Sequence, residues 1–420
     1  VYKRLEFLVG ASGGAQSEPD RQGRDDERSA AVGHEGQGHA LGRGETGDDL
    51  EVLVDVMREI GQRADVALVT GGLGPTTDDL TSAAAAKAAG VDCELDPKAL
   101  QDIEAFFKQR QRLFTQSNKK QALLPKGCIP MYNPVGTAPG FQIKIGKCQF
   151  FCVPGVPPEM RVMLSQQVLP RVADLQGDTR QDCLVKNIST FGMTESAVGE
   201  AVADVVRAVP GIKLGLRSKF PEIHVKLYAQ GNNQNQVTQL LDQATVWVTD
   251  KIGERVLSVE GHAMPKVVAD LLLSKKATIA LAESCTGGLI ANWLTDVPGS
   301  SGYFLFSGVT YANESKVDVL GVPQTMLEAH GAVHEETAKA MAAGARRVAG
   351  ATYGLATSGI AGPDGGTEEK PVGTVCVGLA TPMETIGRRL YFPFGKRLMN
   401  KTIFAEAALD MLRKKLIGST

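Results

Sequence analysis

Buried strand segments that run directly into glycine-rich loops and then into helices most constrain the fold of this 420-residue chain. The mostly apolar residues 64–69 lead into Thr70-Gly71-Gly72-Leu73-Gly74, and residues 278–282 lead into Glu283-Ser284-Cys285-Thr286-Gly287-Gly288. Strand, loop and helix in this order are typical of α/β proteins, whose ligands bind beyond the carboxyl ends of parallel strands. The sequence therefore predicts an α/β fold with ligand sites in these loops.

Composition and charge exclude several classes of protein. Hydrophobic residues make up 43% of the chain and charged residues 22%, which is ordinary for soluble globular domains. The formal net charge of -2 does not indicate a strongly basic nucleic-acid-binding protein. No apolar run approaches the roughly 18 residues that a membrane span needs, and the first residues lack the apolar segment of a secretory signal. Because the seven cysteines are odd in number and widely spread, we expect no disulfide framework and a cytoplasmic location without membrane contact.

Three parts with different patterns follow one another along the chain. Residues 1–172 and 259–420 carry the strand–loop–helix units, and we expect each to form an α/β domain. Residues 173–258 contain helical stretches near 195–206 and 236–252 around the alternating strand 222–228, which predicts a small α+β module. Within the first part, residues 11–46 are mostly Gly, Arg, Asp, Glu, Ser and Gln. Since such a segment buries too little apolar surface to offset its ordering entropy, we expect it to be disordered.

Two neighbouring side chains in the third part are candidate nucleophiles. Ser284 either caps the helix that follows or acts as a nucleophile on a turn whose N–H groups hold an oxyanion or a phosphate. No histidine stands near it in the sequence. Lys316, just after another strand, could serve as its base if burial lowers the lysine pKa. Cys285 is the alternative nucleophile, although a cysteine beside a glycine turn is more often buried packing.

Four further features have both a structural and a functional interpretation. The run Gly362-Pro363-Asp364-Gly365-Gly366-Thr367 is either a wide turn or a loop whose backbone approaches an anionic ligand. Arg397 is either solvated or an anion contact. The run Gly71-Gly72-Leu73-Gly74-Pro75 is neither a P-loop nor a GxGxxG motif. The pair Asp78-Asp79 after it either caps the next helix or holds a cation.

A larger set of motifs in the third part resembles a known family. The motifs are Ala282-Glu283-Ser284-Cys285-Thr286-Gly287-Gly288, Gly299-Ser300-Ser301, Val309-Thr310-Tyr311-Ala312-Asn313-Glu314-Ser315-Lys316, His330-Gly331-Ala332-Val333, Ser358-Gly359-Ile360-Ala361-Gly362-Pro363-Asp364-Gly365-Gly366 and Lys370-Pro371-Val372-Gly373-Thr374. From about residue 47 onward, the chain resembles the competence/damage-inducible CinA proteins, and residues 259–420 look like a nicotinamide-nucleotide amidase.

The resemblance implies a reaction and roles for named residues. It implies hydrolysis of nicotinamide mononucleotide to nicotinate mononucleotide and ammonia, with no cofactor, in pyridine-nucleotide salvage. Ser284 is implied as the nucleophile, Lys316 as its base and Tyr311 as a supporting hydrogen-bond donor. The implied substrate-binding residues are Thr286, Gly287, Gly288, Asn313, Gly362, Asp364, Gly365, Gly366 and Arg397.

The first two parts resemble the other domains of the same family. Residues 1–172 are similar to a molybdopterin-binding-like domain, and residues 173–258 to a KH-like domain, for which we expect no nucleic-acid partner. The implied nucleotide site comprises Gly71, Gly72, Gly74, Pro75, Thr76, Asn133, Gly136, Pro154, Gly155 and Glu159. In some members this domain is linked to ADP-ribose pyrophosphatase activity with a divalent cation, for which Asp78 and Asp79 are candidates. The alternative function is a nucleotide- or molybdopterin-binding scaffold in competence or the DNA-damage response, and we expect a homodimer.

Residues 11–46 depart from the family pattern. The first strand of the family normally runs into an acidic loop, a helix and a second strand, whereas Ala11-Ser12-Gly13-Gly14 follows Gly10 here. The family pattern returns at Gly47-Asp48-Asp49. We interpret the interval as the product of compensating reading-frame shifts or of an error in the gene sequence. Because the acidic loop and the second strand are missing, we expect the pyrophosphatase activity to be weak or absent.

Overall fold

The structure is a computed structural model that describes residues 5–10, 43–46, 49–176 and 182–418. The chain divides into two compact units between Arg180 and Gln181. No helix within the described ranges is long and apolar enough to cross a membrane.

The first unit is built around a six-stranded sheet with the strand order β2-β1-β3-β8-β7-β6. Its elements in chain order are β1 (Leu5–Gly10), β2 (Arg43–Thr46), α1 (Leu50–Arg63), β3 (Val66–Thr70), α2 (Thr81–Ala89), β4 (Cys93–Leu95), α3 (Pro97–Gln109), α4 (Gln116–Lys119), β5 (Leu123–Pro125), β6 (Ile129–Met131), β7 (Gly140–Ile145), β8 (Cys148–Val153), α5 (Pro157–Met163) and, after a π-helical turn, α6 (Leu169–Gln176). Strands β2, β1, β3 and β8 are parallel, whereas β7 and β6 are antiparallel to their neighbours. The predicted buried strand before Gly71 is β3, and its carboxyl end lies beside that of β8.

Part of the segment for which we predicted disorder forms a strand. Arg43–Thr46 pairs in parallel with β1, so the prediction is wrong for these four residues. The physical reason is that an edge strand gains backbone hydrogen bonds without needing an apolar side-chain pattern. Residues 11–42, and with them the interpretation as reading-frame shifts, lie outside the described residues.

The second unit begins with a four-stranded antiparallel sheet in the order β10-β11-β9-β12. The elements are β9 (Asp182–Thr190), α7 (Glu195–Val202), α8 (Val205–Ala208), β10 (Ile212–Lys219), β11 (Glu222–Gly231), α9 (Gln234–Ile252) and β12 (Val256–Ser258). The predicted strand 222–228 is β11, and the stretch predicted as one helix, 195–206, is divided into α7 and α8. Apolar residues of the helices and of one sheet face form a common core, which confirms an α+β module.

The rest of the second unit is a three-layer α/β domain with a five-stranded sheet in the order β14-β13-β15-β16-β17. Its elements are α10 (Met264–Ser274), β13 (Ile279–Glu283), α11 (Leu289–Thr295), β14 (Phe304–Val309), α12 (Asn313–Leu320), α13 (Gln324–His330), α14 (Glu335–Ala349), β15 (Tyr353–Gly359), β16 (Thr374–Ala380), β17 (Thr385–Tyr391) and α15 (Arg397–Ile417). Strand β13 is parallel to both β14 and β15, while β16 and β17 run antiparallel. The loops after β13, β14 and β15 therefore meet at one edge of the sheet.

The two faces of this sheet are covered differently. Large side chains such as Leu281 and Leu355 pack against α10, α11 and α15. The other face is lined by alanine and glycine, which lets α14 approach closely. A Cβ atom added to Gly354 would lie 2.0 Å from the carbonyl oxygen of Ala342, so glycine is required there by the close approach of the helix. This tight layer fixes β15, and with it one side of the loop edge.

Candidate active site at the carboxyl ends of three parallel strands

Ser284 lies at the carboxyl end of β13, where the strand turns into α11. Its N–H donates to the carbonyl of Thr357 on β15 at 3.0 Å, and its carbonyl accepts from Gly287 at 3.1 Å. Both Gly287 and Gly288 have positive φ, 61° and 88°, which is why the turn needs glycine. The Ser284 side chain is 9% exposed, so the hydroxyl is held at the edge of the sheet on a rigid turn.

The carboxylate of Glu283 organises this turn from within the protein. It is fully buried and accepts four hydrogen bonds, from the Thr286 hydroxyl and from the N–H groups of Gly288, Ile290 and Ala291. The N–H groups of Gly287 and Gly288, predicted to be available for substrate, are thus already paired, and the buried Thr286 hydroxyl points inward. Among the described residues, the structure gives no acceptor to the Thr286 N–H. Of the three implied substrate-binding residues in this turn, Thr286 alone keeps an N–H without an acceptor in the described part of the chain.

Lys316 lies in the first turns of α12, directly after β14, and is 1% exposed. Its Nζ donates to three backbone carbonyls, those of Thr310 at 3.0 Å, Tyr311 at 2.9 Å and Ala312 at 3.5 Å. Because Glu283 at the end of β13 is in register with the last residue of β14, the carbonyls of 310–311 flank the Ser284 turn. Burial lowers the pKa of Lys316, an effect only partly opposed by Cys285 and Glu314. The pKa shift has the sign that a lysine base requires.

Cys285 belongs to the hydrophobic core and not to the exposed part of the turn. It is 4% exposed, and a Cβ added to Gly359 would lie 3.2 Å from its sulfur. Burial raises the pKa of its thiol to about 12, so the thiolate is scarce near neutral pH. These contacts favour the interpretation of Cys285 as packing.

Arg397, the first residue of α15, joins two of the loops at this edge. Its guanidinium donates to the carbonyl of Gly362 at 2.5 Å and to the hydroxyl oxygen of Tyr311 at 3.2 Å. Tyr311 is 60% exposed, and because its oxygen accepts from Arg397, its own O–H remains free to donate to a ligand. The turn after β13, the segment after β14 and the start of α15 thus place Ser284, Lys316, Tyr311 and Arg397 at one edge of the sheet.

The other predicted substrate-binding residues border the same edge. Asn313 is exposed at the start of α12, and Asp364, Gly365 and Gly366 are exposed in the loop between β15 and β16. Gly362 is buried, and its carbonyl is the acceptor for Arg397. The buried Asn400 of α15 holds the start of this loop, since its Nδ2 donates to the carbonyl of Ala361 at 3.0 Å. The loop is therefore fixed at its base and open at its tip.

Two residues of this site were missed by sequence reasoning. Glu283 was quoted only as part of a motif, yet its carboxylate shapes the Ser284 turn. Lys401 lies one helical turn after Arg397, and its Nζ would be 3.3 Å from a Cβ added to Gly287. No acceptor for this ammonium is found among the described residues. The i, i+4 spacing of Arg397 and Lys401 was the available signal, because residues so spaced share one helix face.

The predicted nucleotide loops of the first unit also meet at a sheet edge. The Gly71 N–H after β3 donates to the carbonyl of Val153 at the end of β8 at 3.0 Å, and a Cβ on Gly155 would be 3.1 Å from the Gly71 Cα. The Asn133 side chain donates to Glu159 at 2.7 Å and accepts from Gly136 at 3.0 Å. Pro154, beside Gly155, is buried. Loops that are distant in sequence are therefore contiguous here.

The aspartates proposed for a divalent cation are used within their own loop. Asp79 accepts from the Thr76 N–H at 2.8 Å and from the Thr76 hydroxyl at 2.6 Å, and it lies so close to Gly74 that a Cβ there would clash with it. Asp78 is exposed and accepts from Thr77. Pro75 precedes this hydrogen-bonded turn. Nowhere in the described ranges do three or more His, Cys, Asp or Glu side chains form a group that could hold a metal ion.

Fold and site define a class of multidomain α/β protein whose last domain gathers a serine and a buried lysine at one sheet edge. Three family models match the chain: the probable molybdopterin binding domain over residues 31–174, the damage-inducible protein CinA KH domain over 185–257 and the CinA C-terminal domain over 261–416. A CinA-like protein of Desulfosudis oleivorans is 53% identical over 371 residues, which cover 88% of this chain and 90% of the relative. The chain therefore belongs to the CinA family.

Two further proteins are similar to this chain. A CinA-like protein of Geobacter metallireducens is 41% identical over 372 residues, 89% of this chain and 90% of the relative. The crystal structure of the competence/damage inducible protein CihA from Agrobacterium tumefaciens is 35% identical and covers 36% of this chain and 94% of its own, with a TM-score of 0.35.

Proposed function

We propose that residues 259–420 form a nicotinamide-nucleotide amidase, which hydrolyses nicotinamide mononucleotide to nicotinate mononucleotide and ammonia. The observation that carries the proposal is the fully buried Lys316 amine on carbonyls 310–312, beside the strand-to-helix turn that presents Ser284. Burial favours the neutral form of this amine, and a neutral amine beside a serine is the arrangement that a Ser/Lys acyl-transfer mechanism requires.

The proposed chemistry is acyl transfer through a serine ester. Neutral Lys316 takes the proton of the Ser284 hydroxyl as its oxygen attacks the carboxamide carbon. The Thr286 N–H and the Tyr311 O–H are the two free donors that support the resulting oxyanion. Lys316 returns its proton to the departing nitrogen, the C–N bond breaks and ammonia leaves. Water then attacks the ester, giving its proton to Lys316, and the carboxylate product leaves as Ser284 regains its hydrogen. No cofactor takes part in the proposed steps.

The charges around the edge support a substrate with a phosphate group. Arg397 and Lys401 stand on one face of α15, and the Lys401 ammonium, half-buried over Gly287, has no acceptor in the described chain. A guanidinium and an ammonium so placed match the dianionic end of a mononucleotide. Residues 364–366, exposed at the loop tip, are proposed to contact the ribose phosphate or to line the path by which it enters the site.

The test is ammonia release from nicotinamide mononucleotide by the purified full chain. We expect turnover by the wild type and none above background for Ser284→Ala, whose circular dichroism should be unchanged. Nicotinamide riboside, which lacks the phosphate, should be a far poorer substrate than nicotinamide mononucleotide. Lys401→Met should reduce the difference in turnover between these two compounds. Equal turnover of both compounds by the wild type would contradict the role of the cations. Absence of ammonia release by a folded chain would contradict the amidase itself.

The pyrophosphatase alternative has less support. Asp79 is occupied by Thr76, and the aspartates do not converge with other carboxylates in the described residues. We therefore propose that the amidase is the principal activity and that any hydrolysis of ADP-ribose is much slower. Phosphate-product analysis with ADP-ribose and Mg²⁺, run beside the ammonia assay, checks this ranking. The alternative of a scaffold without enzymatic activity predicts turnover in neither assay.

A further inference from the structure

An apolar cavity lies between the antiparallel module and the α/β domain of the second unit, away from the candidate active site. Its volume is about 530 Å³. Its walls include Phe220 and Ile223 from the module, and Leu390, Phe392, Phe394 and Ile403 from the α/β domain. None of Ser284, Lys316, Tyr311 or Arg397 lines it. Both its size and its aromatic lining are those of a small-molecule site.

The charged groups on the wall give the cavity one free cation. Asp410 and Lys414 line it and are paired with each other at 2.8 Å, and Asp410 is also bound by the buried Arg413. Arg388 lines the same cavity, and the structure gives its guanidinium no acceptor among the described residues. A second cavity of about 240 Å³ is also lined by Arg388 and Lys414, together with Glu384, so the exposed Arg388 lies where the two spaces adjoin.

We propose that this cavity is a binding site for a small apolar carboxylate, with its aromatic or aliphatic body among the phenylalanines and its charge on Arg388. The apolar walls supply the affinity, since they remove apolar surface from water. The unpaired guanidinium supplies the selectivity for an anion, because it forms two parallel hydrogen bonds with a carboxylate. A neutral compound of the same shape would leave Arg388 without its acceptor and should bind less well.

The walls are joined to the active-site loop by hydrogen bonds to backbone carbonyls. The Phe392 N–H donates to the carbonyl of Gly373 at 2.9 Å, and the Phe394 carbonyl accepts from Asn400 at 2.9 Å. Asn400 also holds the carbonyl of Ala361 at the base of the loop. The wall segment is therefore anchored rather than loose, and the cavity is preformed, which limits the ordering cost of binding.

Titration calorimetry on the full chain tests the proposal with 1-naphthaleneacetate and its neutral counterpart 2-(1-naphthyl)ethanol. We expect a Kd on the order of 0.1 mM for the carboxylate and a Kd about tenfold weaker for the alcohol. Arg388→Ala should remove this difference. Arg389→Ala is the matched control, because the next residue of β17 points to the opposite face and should leave the difference unchanged. Ala407→Phe, which fills the cavity, should abolish binding of both compounds.

Three results would overturn the proposal. One is equal binding of acid and alcohol by the wild type, and another is an undiminished affinity in Ala407→Phe with a wild-type melting temperature. Should Ala407→Phe fail to fold, the acid-to-alcohol ratio in Arg388→Ala decides alone. The third is a wild-type chain that sediments as an oligomer while Phe220→Glu sediments as a monomer. That result would show that a second copy of the chain covers the cavity.

Discussion

Replacing Glu283 with alanine should destabilise the second unit while also disabling the site. The change removes a fully buried carboxylate that accepts four hydrogen bonds and leaves four donors on the turn and on the start of α11 without an acceptor. A hydrogen bond to a charged group contributes about 1.5–3 kcal/mol, and the four are not additive because they share one carboxylate. We therefore expect the free energy of unfolding to fall by about 3–5 kcal/mol.

Urea unfolding followed by tryptophan fluorescence measures this loss in the relevant unit. The chain has two tryptophans, Trp247 and Trp293, and both lie in the second unit. Trp293 is on α11, the helix whose first turn the carboxylate binds. Glu314→Ala is the matched control, because that exposed carboxylate in the first turn of α12 acts on Lys316 only through its charge, and its loss should change stability by less than about 1 kcal/mol.

The activity of Glu283→Ala gives a second measure of the same role. A nucleophile displaced by about 1 Å loses on the order of 10²-fold in rate, so kcat should fall at least that far under conditions where the variant is folded. The kcat of Glu283→Gln should lie between those of the wild type and of Glu283→Ala, since the amide oxygen keeps some of the hydrogen bonds. A loss of stability below 1 kcal/mol together with wild-type kcat would refute the assignment of the carboxylate as the organiser of the turn.

Three further predictions concern the proposed chemistry and the pH dependence. Ser284→Ala should abolish ammonia release, whereas Cys285→Ala should keep most of it and lose about 1–2 kcal/mol of stability from core packing; an inactive Cys285→Ala beside an active Ser284→Ala would reverse the assignment. Lys316→Arg should be inactive because a guanidinium cannot become neutral. In the wild type, kcat should rise with pH and level off below the ordinary lysine pKa of 10.5, because burial lowers the pKa of Lys316. A kcat that does not change from pH 6 to 10 would contradict the role of Lys316 as the base. Burial next to Glu222 raises the pKa of Glu406 well above its ordinary 4.5, so the stability that is fully present below pH 4.5 is lost as pH rises through the folded-state pKa. Glu406→Gln should therefore raise the melting temperature at pH 8 and change it little at pH 4.5. A larger rise at pH 4.5 than at pH 8 would be evidence against the pKa shift.

The sequence was sufficient for those elements whose apolar pattern is uninterrupted. The strands β3 and β13 are buried on both faces, and they were predicted because they read as continuous apolar runs. The strands of the antiparallel module were harder to predict from the sequence. Strands β9 and β10 carry lysine, arginine and asparagine among their apolar residues, and neither was predicted. Continuous helical periodicity through 195–206 concealed the break between α7 and α8, since Val198, Val202 and Val205 are all buried at helical spacing.

For the site, the sequence predicted which loops meet but not how their polar groups are shared. Parallel strands that end in glycine-rich loops already placed Ser284 and Lys316 at one edge. Which N–H groups remain free depends on where α11 begins and on which way the Glu283 side chain turns, and neither follows from spacing. Lys401 comes from the last helix, so its position above Gly287 required the packing of α15 on the sheet.

The role of Glu283 also determines how the proposed substrate must lie. A helix that starts at a glycine-rich turn would ordinarily offer its N–H groups to a phosphate. Here that positive end already holds a buried carboxylate, so a phosphate on α11 would meet negative charge where the N–H groups are taken. The cations at this edge are instead Arg397, whose guanidinium also binds Gly362 and Tyr311, and Lys401, which lies on the same helix α15. The proposed orientation therefore puts the phosphate toward α15 and the carboxamide toward Ser284, with Tyr311 between them, and Arg397→Ala should raise KM more than it lowers kcat.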